Sequence, residues 1–232
     1  MINVVEIKQK YAIIVAGGTG SRLGGGLPKQ FRELNGRPMV WWSMKAFAEA
    51  DSSTRIVLVV HPDYVEAWKE LFATLPESDR IPHEVRGGGA SRTESVINGL
   101  QEIPSGDDIL VAVHDAARPV VSLGLIKRGW ESGLRSGAAV PVVPVTDSLR
   151  RLVADGSEAI DRKDYVAVQT PQVFRSSVLK DAYERTPGRI FTDDASATEA
   201  AGWKTELFEG SPDNMKVTNP GDLEVAALYL KR

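Results

Sequence analysis

Four short runs of apolar and β-branched residues, YAIIVA (11–16), RIVLVV (55–60), DILVAV (108–113) and AAVPVVPV (138–145), most constrain the fold of this chain. Segments of helical character separate or flank them: MVWWSMKAFAEA (39–50), YVEAWKELFATL (64–75), SRTESVINGLQEI (91–103) and LGLIKRGWESGLRS (123–136). Runs so continuously apolar suit strands buried on both faces. Strands alternating with helices imply right-handed crossovers, so the order predicts an α/β fold: a Rossmann-like, mostly parallel sheet with helices on both faces. Ligands of such sheets gather at the carboxyl ends of the strands. Polar and glycine-rich stretches fall at those ends here: a glycine loop after the first run, RGGGASR (86–92) after Glu84–Val85, and HDAARP (114–119) after the third run.

One segment breaks the alternation. In 147–172, Asp155-Gly156 lies between two short alternating stretches, a strong hairpin signal. A hairpin here projects from the body as an arm. An arm that cannot bury itself favours a partner, and a homodimer is the simplest one. With no repeat, low-complexity tract or linker, residues 1–232 read as a single domain with a dimerisation arm at about 147–168. The polar start MINVVEIKQK fits an extra strand or a loose tail.

The glycine loop, VAGGTGSRLGGGLPKQF (15–31), poses the chemical question. Glycines after a strand let backbone N–H groups approach an anion without a Cβ in the way. The spacing excludes G-x-x-x-x-G-K-[ST], and the dinucleotide fingerprint starting at Gly18 meets Leu23 where its last glycine belongs. A tight surface turn is the simpler alternative, but it does not require Arg22 and Lys29 at its mouth. Since the net charge is −3, an anionic ligand must be held by such a local cluster, and nothing suggests a nucleic-acid-coating surface. The absence of cysteine excludes disulfides, thiolate metal sites and a cysteine nucleophile. No apolar run is long enough for a signal peptide or a bilayer span, so the expectation is a cytoplasmic protein with no membrane partner.

AGGTGSRLGGGLPKQF resembles the signature loop of nucleotidyltransferases that act on sugar phosphates. Together with GGGASRTESVINGL (87–100), HDAARP (114–119), QTPQVF (169–174), TDDASATEAAG (192–202) and NMKVTNPGDL (214–223), it resembles the 2-C-methyl-D-erythritol 4-phosphate cytidylyltransferases of the non-mevalonate isoprenoid pathway. The resemblance runs from about Tyr11 to the C-terminus. It implies transfer of a cytidylyl group from CTP to methylerythritol phosphate, with release of pyrophosphate and help from Mg²⁺. The attacking phosphate is already anionic and needs no general base, consistent with a chain offering only His61, His83 and His114. The task is electrostatic.

By position in the matching motifs, Arg22 and Lys29 are expected at the triphosphate, Lys29 nearer the α-phosphate. Ala16, Gly17, Gly18, Thr19 and Gly20 supply backbone contacts. Gly88, Ser95 and neighbouring amides read the cytosine, and Arg92 contacts phosphate, stabilises its loop or is simply structural. Asp115, beside Ala116 on the nucleotide side, holds Mg²⁺ or a substrate hydroxyl. Arg118 pairs with acidic neighbours or contacts the sugar phosphate. Arg162, reaching into a neighbouring subunit, and Lys216 hold the methylerythritol phosphate, with Asp147, Ser148, Thr170, Thr192 and Asp193 lining its pocket. Two departures stand out: AGG where the family often has AAG, and Ser148 where it has threonine. The first is shared with ribitol 5-phosphate cytidylyltransferases, which keeps that reaction open as an alternative, although HDAARP in place of HDSVRP disfavours it. A non-catalytic nucleotide-binding protein is the other alternative.

Overall fold

The computed structural model describes residues 6–18 and 27–231. In chain order the elements are β1 (Gln9–Ala16), β2 (Glu33–Leu34), β3 (Arg37–Pro38), α1 (Met39–Ala50), β4 (Arg55–Val60), α2 (Val65–Ala73), β5 (Glu84–Gly87), α3 (Arg92–Leu100), β6 (Ile109–Asp115), α4 (Leu123–Ser136) and β7 (Ala138–Pro144). There follow β8 (Leu149–Val153), β9 (Gly156–Ile160), β10 (Val166–Val168), β11 (Gln172–Arg175), α5 (Ser176–Arg185), α6 (Asp194–Ala200), β12 (Glu206–Glu209) and α7 (Pro220–Tyr229).

The main sheet runs β7-β11-β6-β1-β4-β5, with β10 and β12 also paired to β7. Strands β5, β4, β1, β6, β7 and β12 share one direction, and β10 and β11 oppose it. The expected mostly parallel sheet is therefore present. Its side chains show the period of two that covers both faces. On β1, Ala12, Ile14 and Ala16 pack in one cluster with α1 and α4 residues such as Phe47 and Trp130, while Tyr11 and Ile13 pack in another with Val96 of α3 and Leu179 of α5. Ile13 and Ile14 are both fully buried. Truncating either to alanine costs about 2–5 kcal/mol.

The antiparallel pair arises from a break in one stretch of chain. Ala139 pairs with Val173 and Glu206, and Val142 pairs with Val168 and Glu209, so β10 and β11 lie on the same side of β7 and β12 on the other. Residues 169–171 between them leave the ladder, with the Gln169 N–H donating to the Pro141 carbonyl (2.8 Å) and a cis peptide at Thr170-Pro171.

The hairpin expected in 147–172 forms as β8 and β9, a two-stranded sheet that does not join the main one. Its turn lies one residue earlier than Asp155-Gly156. Val153 pairs with Gly156, so Ala154 and Asp155 make the corner. Gly156 opens the return strand at φ +136°, which strains any residue with a Cβ. Leu152 on this arm is 85% exposed.

Candidate active site

The carboxyl ends of β1, β4 and β6 and the loop after β5 enclose a cavity of about 450 Å³. Ala16, Gly17, Gly18, Lys29, Gln30, His61, Gly89, Ser95, Asp115, Ala116 and Lys216 are among its lining. The turn carrying Lys29, Lys29–Phe31, is fixed by apolar packing, because Phe31 stacks on buried Trp68 with ring centroids 5.4 Å apart. Next to it Gln30, buried, donates from Nε2 to the carbonyls of Ala16 (2.6 Å) and Gly18 (2.8 Å). The amide thus ties the turn to the start of the glycine loop. Lys29 Nζ donates to the Val217 carbonyl (2.7 Å). Arg22, Thr19 and Gly20 lie outside the described residues.

Ser95 sits between the two glycine segments. A Cβ added at Gly17 would stand 3.0 Å from its Oγ, and one at Gly88 only 2.9 Å, so a side chain at either position would press on the Ser95 hydroxyl and make it shift. The Ser95 hydroxyl donates to the Ser91 carbonyl (2.9 Å) and accepts from the Gly89 N–H (3.2 Å). The Gly88 N–H donates to the Val60 carbonyl (2.7 Å), so Gly89 and Ala90 line the cavity where Gly88 was expected.

A second cavity of about 320 Å³ is lined by Arg118, Thr170, Gln172, Thr192, Asp193 and others. Arg92, Asp115 and Lys216 line both cavities and form the wall between them. A main-chain bond from the Val217 N–H to the Ala117 carbonyl (2.8 Å) lays the NMKVT segment along the end of β6. Lys216 Nζ therefore reaches Asp115 Oδ2 at 2.7 Å, while Arg92 Nε donates to Asp115 Oδ1 at 3.2 Å. Burial alone would raise the pKa of Asp115, but Arg92 and Lys216 outweigh it and hold the carboxyl well below the usual carboxylate range. Asp115 is the single carboxylate lining the larger cavity among the described residues. A divalent ion there would have this one protein carboxylate, with phosphate oxygens completing the shell, a pattern that suits magnesium.

Beneath Asp115 lies a closed polar network. His114 is fully buried. Its Nε2 lies 3.1 Å from the Arg118 carbonyl, which only accepts, so Nε2 carries the hydrogen and Nδ1 accepts from the Thr170 hydroxyl at 3.1 Å. The same hydroxyl oxygen accepts from the Asp115 N–H (3.1 Å). Burial lowers the His114 pKa to about 4, and the ring stays neutral. Thr170 thus orients β6. Arg118 donates to the Asn214 carbonyl (2.7 Å), and its Nε is buried without a partner among the described residues. Burial lowers the Arg118 pKa.

The structure brings Lys29, Lys216, Asp115, Ala116, Ser95 and the first glycines to one cavity, and Arg118, Thr170, Thr192 and Asp193 to the adjoining one. Asp147, Ser148 and Arg162 stand apart at the root of the arm. Asp147 and Ser148 are exposed, and Arg162 bonds the Thr146 carbonyl and lines a separate cavity with residues 142–146.

The model of one protein family, described as IspD: 2-C-methyl-D-erythritol 4-phosphate cytidylyltransferase, matches residues 11–232. The chain belongs to this family. Among named cytidylyltransferases of the same description, the one from Phocaeicola vulgatus is 41% identical over 95% of this chain and 99% of its own length. That from Porphyromonas gingivalis is 44% identical over 97% and 99%. The crystal structure of the Thermus thermophilus cytidylyltransferase matches with a TM-score of 0.76 and 33% identity, covering 98% of this chain and all of that one. The cytidylyltransferase resemblance drawn from the motifs is thus supported over nearly the whole chain, and so is the α/β fold.

Sequence reasoning passed over several residues that shape this site. Gln30 stands in the quoted PKQF, and Gln172 in QTPQ; both are fully or almost fully buried amides, which an apolar-pattern reading treats as surface. Asp194, the second aspartate of TDDASATEAAG, is fully buried and ion-paired to Arg92.

Proposed function

We propose that the protein joins CTP to 2-C-methyl-D-erythritol 4-phosphate, giving 4-diphosphocytidyl-2-C-methyl-D-erythritol and pyrophosphate, as a cytoplasmic step toward isoprenoid precursors. The observation that carries this reading is the shared wall: two adjoining cavities separated by Arg92, Asp115 and Lys216. One cavity has a glycine-lined mouth suited to a nucleotide, and the other has cations and hydroxyls suited to a phosphorylated polyol.

In the reaction, an oxygen of the acceptor phosphate attacks the α-phosphorus of CTP. The bond from that phosphorus to the bridging oxygen breaks, and pyrophosphate leaves with the electron pair. Neither step takes a proton from the acceptor, consistent with a buried His114 that stays neutral. Lys29 faces the nucleotide cavity and Lys216 both cavities, so the two ammoniums flank the meeting point of two anions. Lys216 has 47% of its side chain exposed and can leave Asp115 for a phosphate. A magnesium ion, when bound at Asp115, would offset triphosphate charge as pyrophosphate departs. Arg22, from the glycine loop, is read as a second triphosphate cation.

Arg162, Asp147 and Ser148 lie outside this chain's own acceptor cavity. Their expected acceptor role is supported by the exposed arm, which in a homodimer would carry them to the partner's site. Residues 1–232 are read as one nucleotidyltransferase domain with this arm as its dimer contact.

The test is a substrate panel: CTP, UTP and ATP, each with methylerythritol phosphate and with ribitol 5-phosphate, followed by pyrophosphate release. Turnover is expected with CTP and methylerythritol phosphate far above every other pair. Equal or faster turnover with ribitol 5-phosphate, or with another nucleotide, would overturn the assignment.

A further inference from the structure

Behind the wall between the cavities, the charges continue inward. Arg92, the first residue of α3, donates from Nη2 to Asp194 Oδ2 at 2.8 Å. Asp194, the first residue of α6, is fully buried, and its Oδ1 accepts from the hydroxyl of Tyr183 on α5 at 2.6 Å. Its backbone is held as well, because the Asp194 N–H donates to Gln172 Oε1 at 3.0 Å. From Lys216 through Asp115 and Arg92 to Asp194 the charges alternate in sign, and the neutral tyrosine closes the row.

We propose that Asp194 and Tyr183 are positioning residues for the transfer, holding Arg92 so that it grips one oxygen of Asp115 and leaves the other to Lys216. The inference rests on reading the two cavities as the CTP and acceptor sites. A buried ion pair is poor support for stability, since apolar residues of similar volume often serve as well, so four charges in a row call for another reason. Geometry supplies it. A guanidinium with a single carboxylate neighbour tends to take both of its oxygens. Asp194 prevents that by occupying a second edge of Arg92, so only Nε reaches Asp115. Without Asp194, Arg92 is free to draw Asp115 away from Lys216 or to turn into a cavity onto phosphate. Tyr183 gives Asp194 its second fixed point. Burial opposes the charge on Arg92, yet Asp194 and Asp115 more than compensate, so the guanidinium stays charged as this arrangement requires.

A double-mutant cycle tests the proposal, with Asp194→Asn and Arg92→Gln made singly and together. Asp194→Asn is expected to lower kcat about tenfold, as displaced catalytic groups do, in protein whose circular dichroism and Tm show it folded. In the Arg92→Gln background, Asp194→Asn should lower kcat no further. Equal losses in both backgrounds, or wild-type kcat in folded Asp194→Asn, would overturn it. If Asp194→Asn fails to fold, Tyr183→Phe takes its place in the cycle, with a smaller loss that should likewise vanish beside Arg92→Gln. A second readout does not depend on turnover: the Arg92 Nε–H resonance should be protected from solvent exchange in wild type and lose that protection in Asp194→Asn or Tyr183→Phe. Unchanged protection in the variants would overturn the proposal. Wild type inactive with CTP and methylerythritol phosphate would count against the function itself, and the resonance would still decide the positioning role.

Discussion

Acidifying the protein should weaken it through His114 before its carboxylates titrate. The ring is fully buried, and burial lowers its pKa from 6.5 to about 4. Because the folded value is the lower one, the unfolded chain takes up the proton first as pH falls. Stability is therefore present above pH 6.5, declines below it and levels off once pH drops under about 4. The linkage gives a loss of about 2 kcal/mol by pH 5 and about 3 kcal/mol at the plateau. For a chain of this size the first figure corresponds to a fall in Tm of roughly 4–8 °C. Urea denaturation at pH 7.5, 6.5, 5.5 and 5.0 reads it directly. His83 adds to the same slope, since burial lowers its pKa too, while its Nε2 accepts from Trp68 Nε1 at 2.9 Å. Measuring in a His83→Gln background removes that share. His114→Asn should then have lower stability at pH 7.5 and a flatter profile. An unchanged slope in His114→Asn would refute the buried, neutral ring and with it the hydrogen bonds that join it through Thr170 to Asp115.

Lys216→Ala should lower turnover on the order of 100-fold or more, the usual cost of removing a charge aimed at the transition state; steady-state kinetics with both substrates checks it, and a loss under about threefold would contradict the role. Gln30→Ala removes two hydrogen bonds to the glycine loop, each worth about 1 kcal/mol, and should raise the KM for CTP about tenfold while sparing that for the acceptor. Leu152→Glu places a charge on the exposed face of the arm and should shift sedimentation toward monomer, whereas an unchanged profile would count against the arm as the dimer contact. Mixing inactive Lys29→Ala with inactive Arg162→Ala should restore about a quarter of wild-type activity, because half of random dimers are mixed and each has one intact site; no recovery would place Arg162 outside the partner's site.

Much of the scaffold was readable in the sequence because it depends on local pattern. MVWWSMKAFAEA and LGLIKRGWESGLRS form α1 and α4 over the predicted residues, and the glycine-rich ends of the strands converge on one cavity. What the pattern could not give was pairing between distant segments. β10 and β11 run against the sheet beside β7 and β6, and β6 continues through Asp115 by pairing with Val15 of β1. The hairpin signal at Asp155-Gly156 marked the arm correctly and misplaced its turn by one residue, since the glycine serves the strand after the corner. The candidate site divided the same way. Lys29, Asp115 and Lys216 stood out as charges in motifs, whereas Gln30, Gln172, Asp194 and Tyr183 act from the interior, where a sequence gives no sign that a polar side chain has found its partner.

In the proposed reaction CTP and methylerythritol phosphate meet across the Asp115 wall, with Lys29 on the nucleotide side and Arg162 reaching the acceptor from a neighbouring subunit. The decisive experiment is magnesium-dependent pyrophosphate release from these two substrates in wild type, Lys29→Ala and Arg162→Ala. Turnover is expected in wild type and its near abolition in both variants, with the KM for CTP disturbed less by Arg162→Ala than the KM for the acceptor. Well-folded wild type that releases no pyrophosphate, or variants as active as wild type, would contradict this reading.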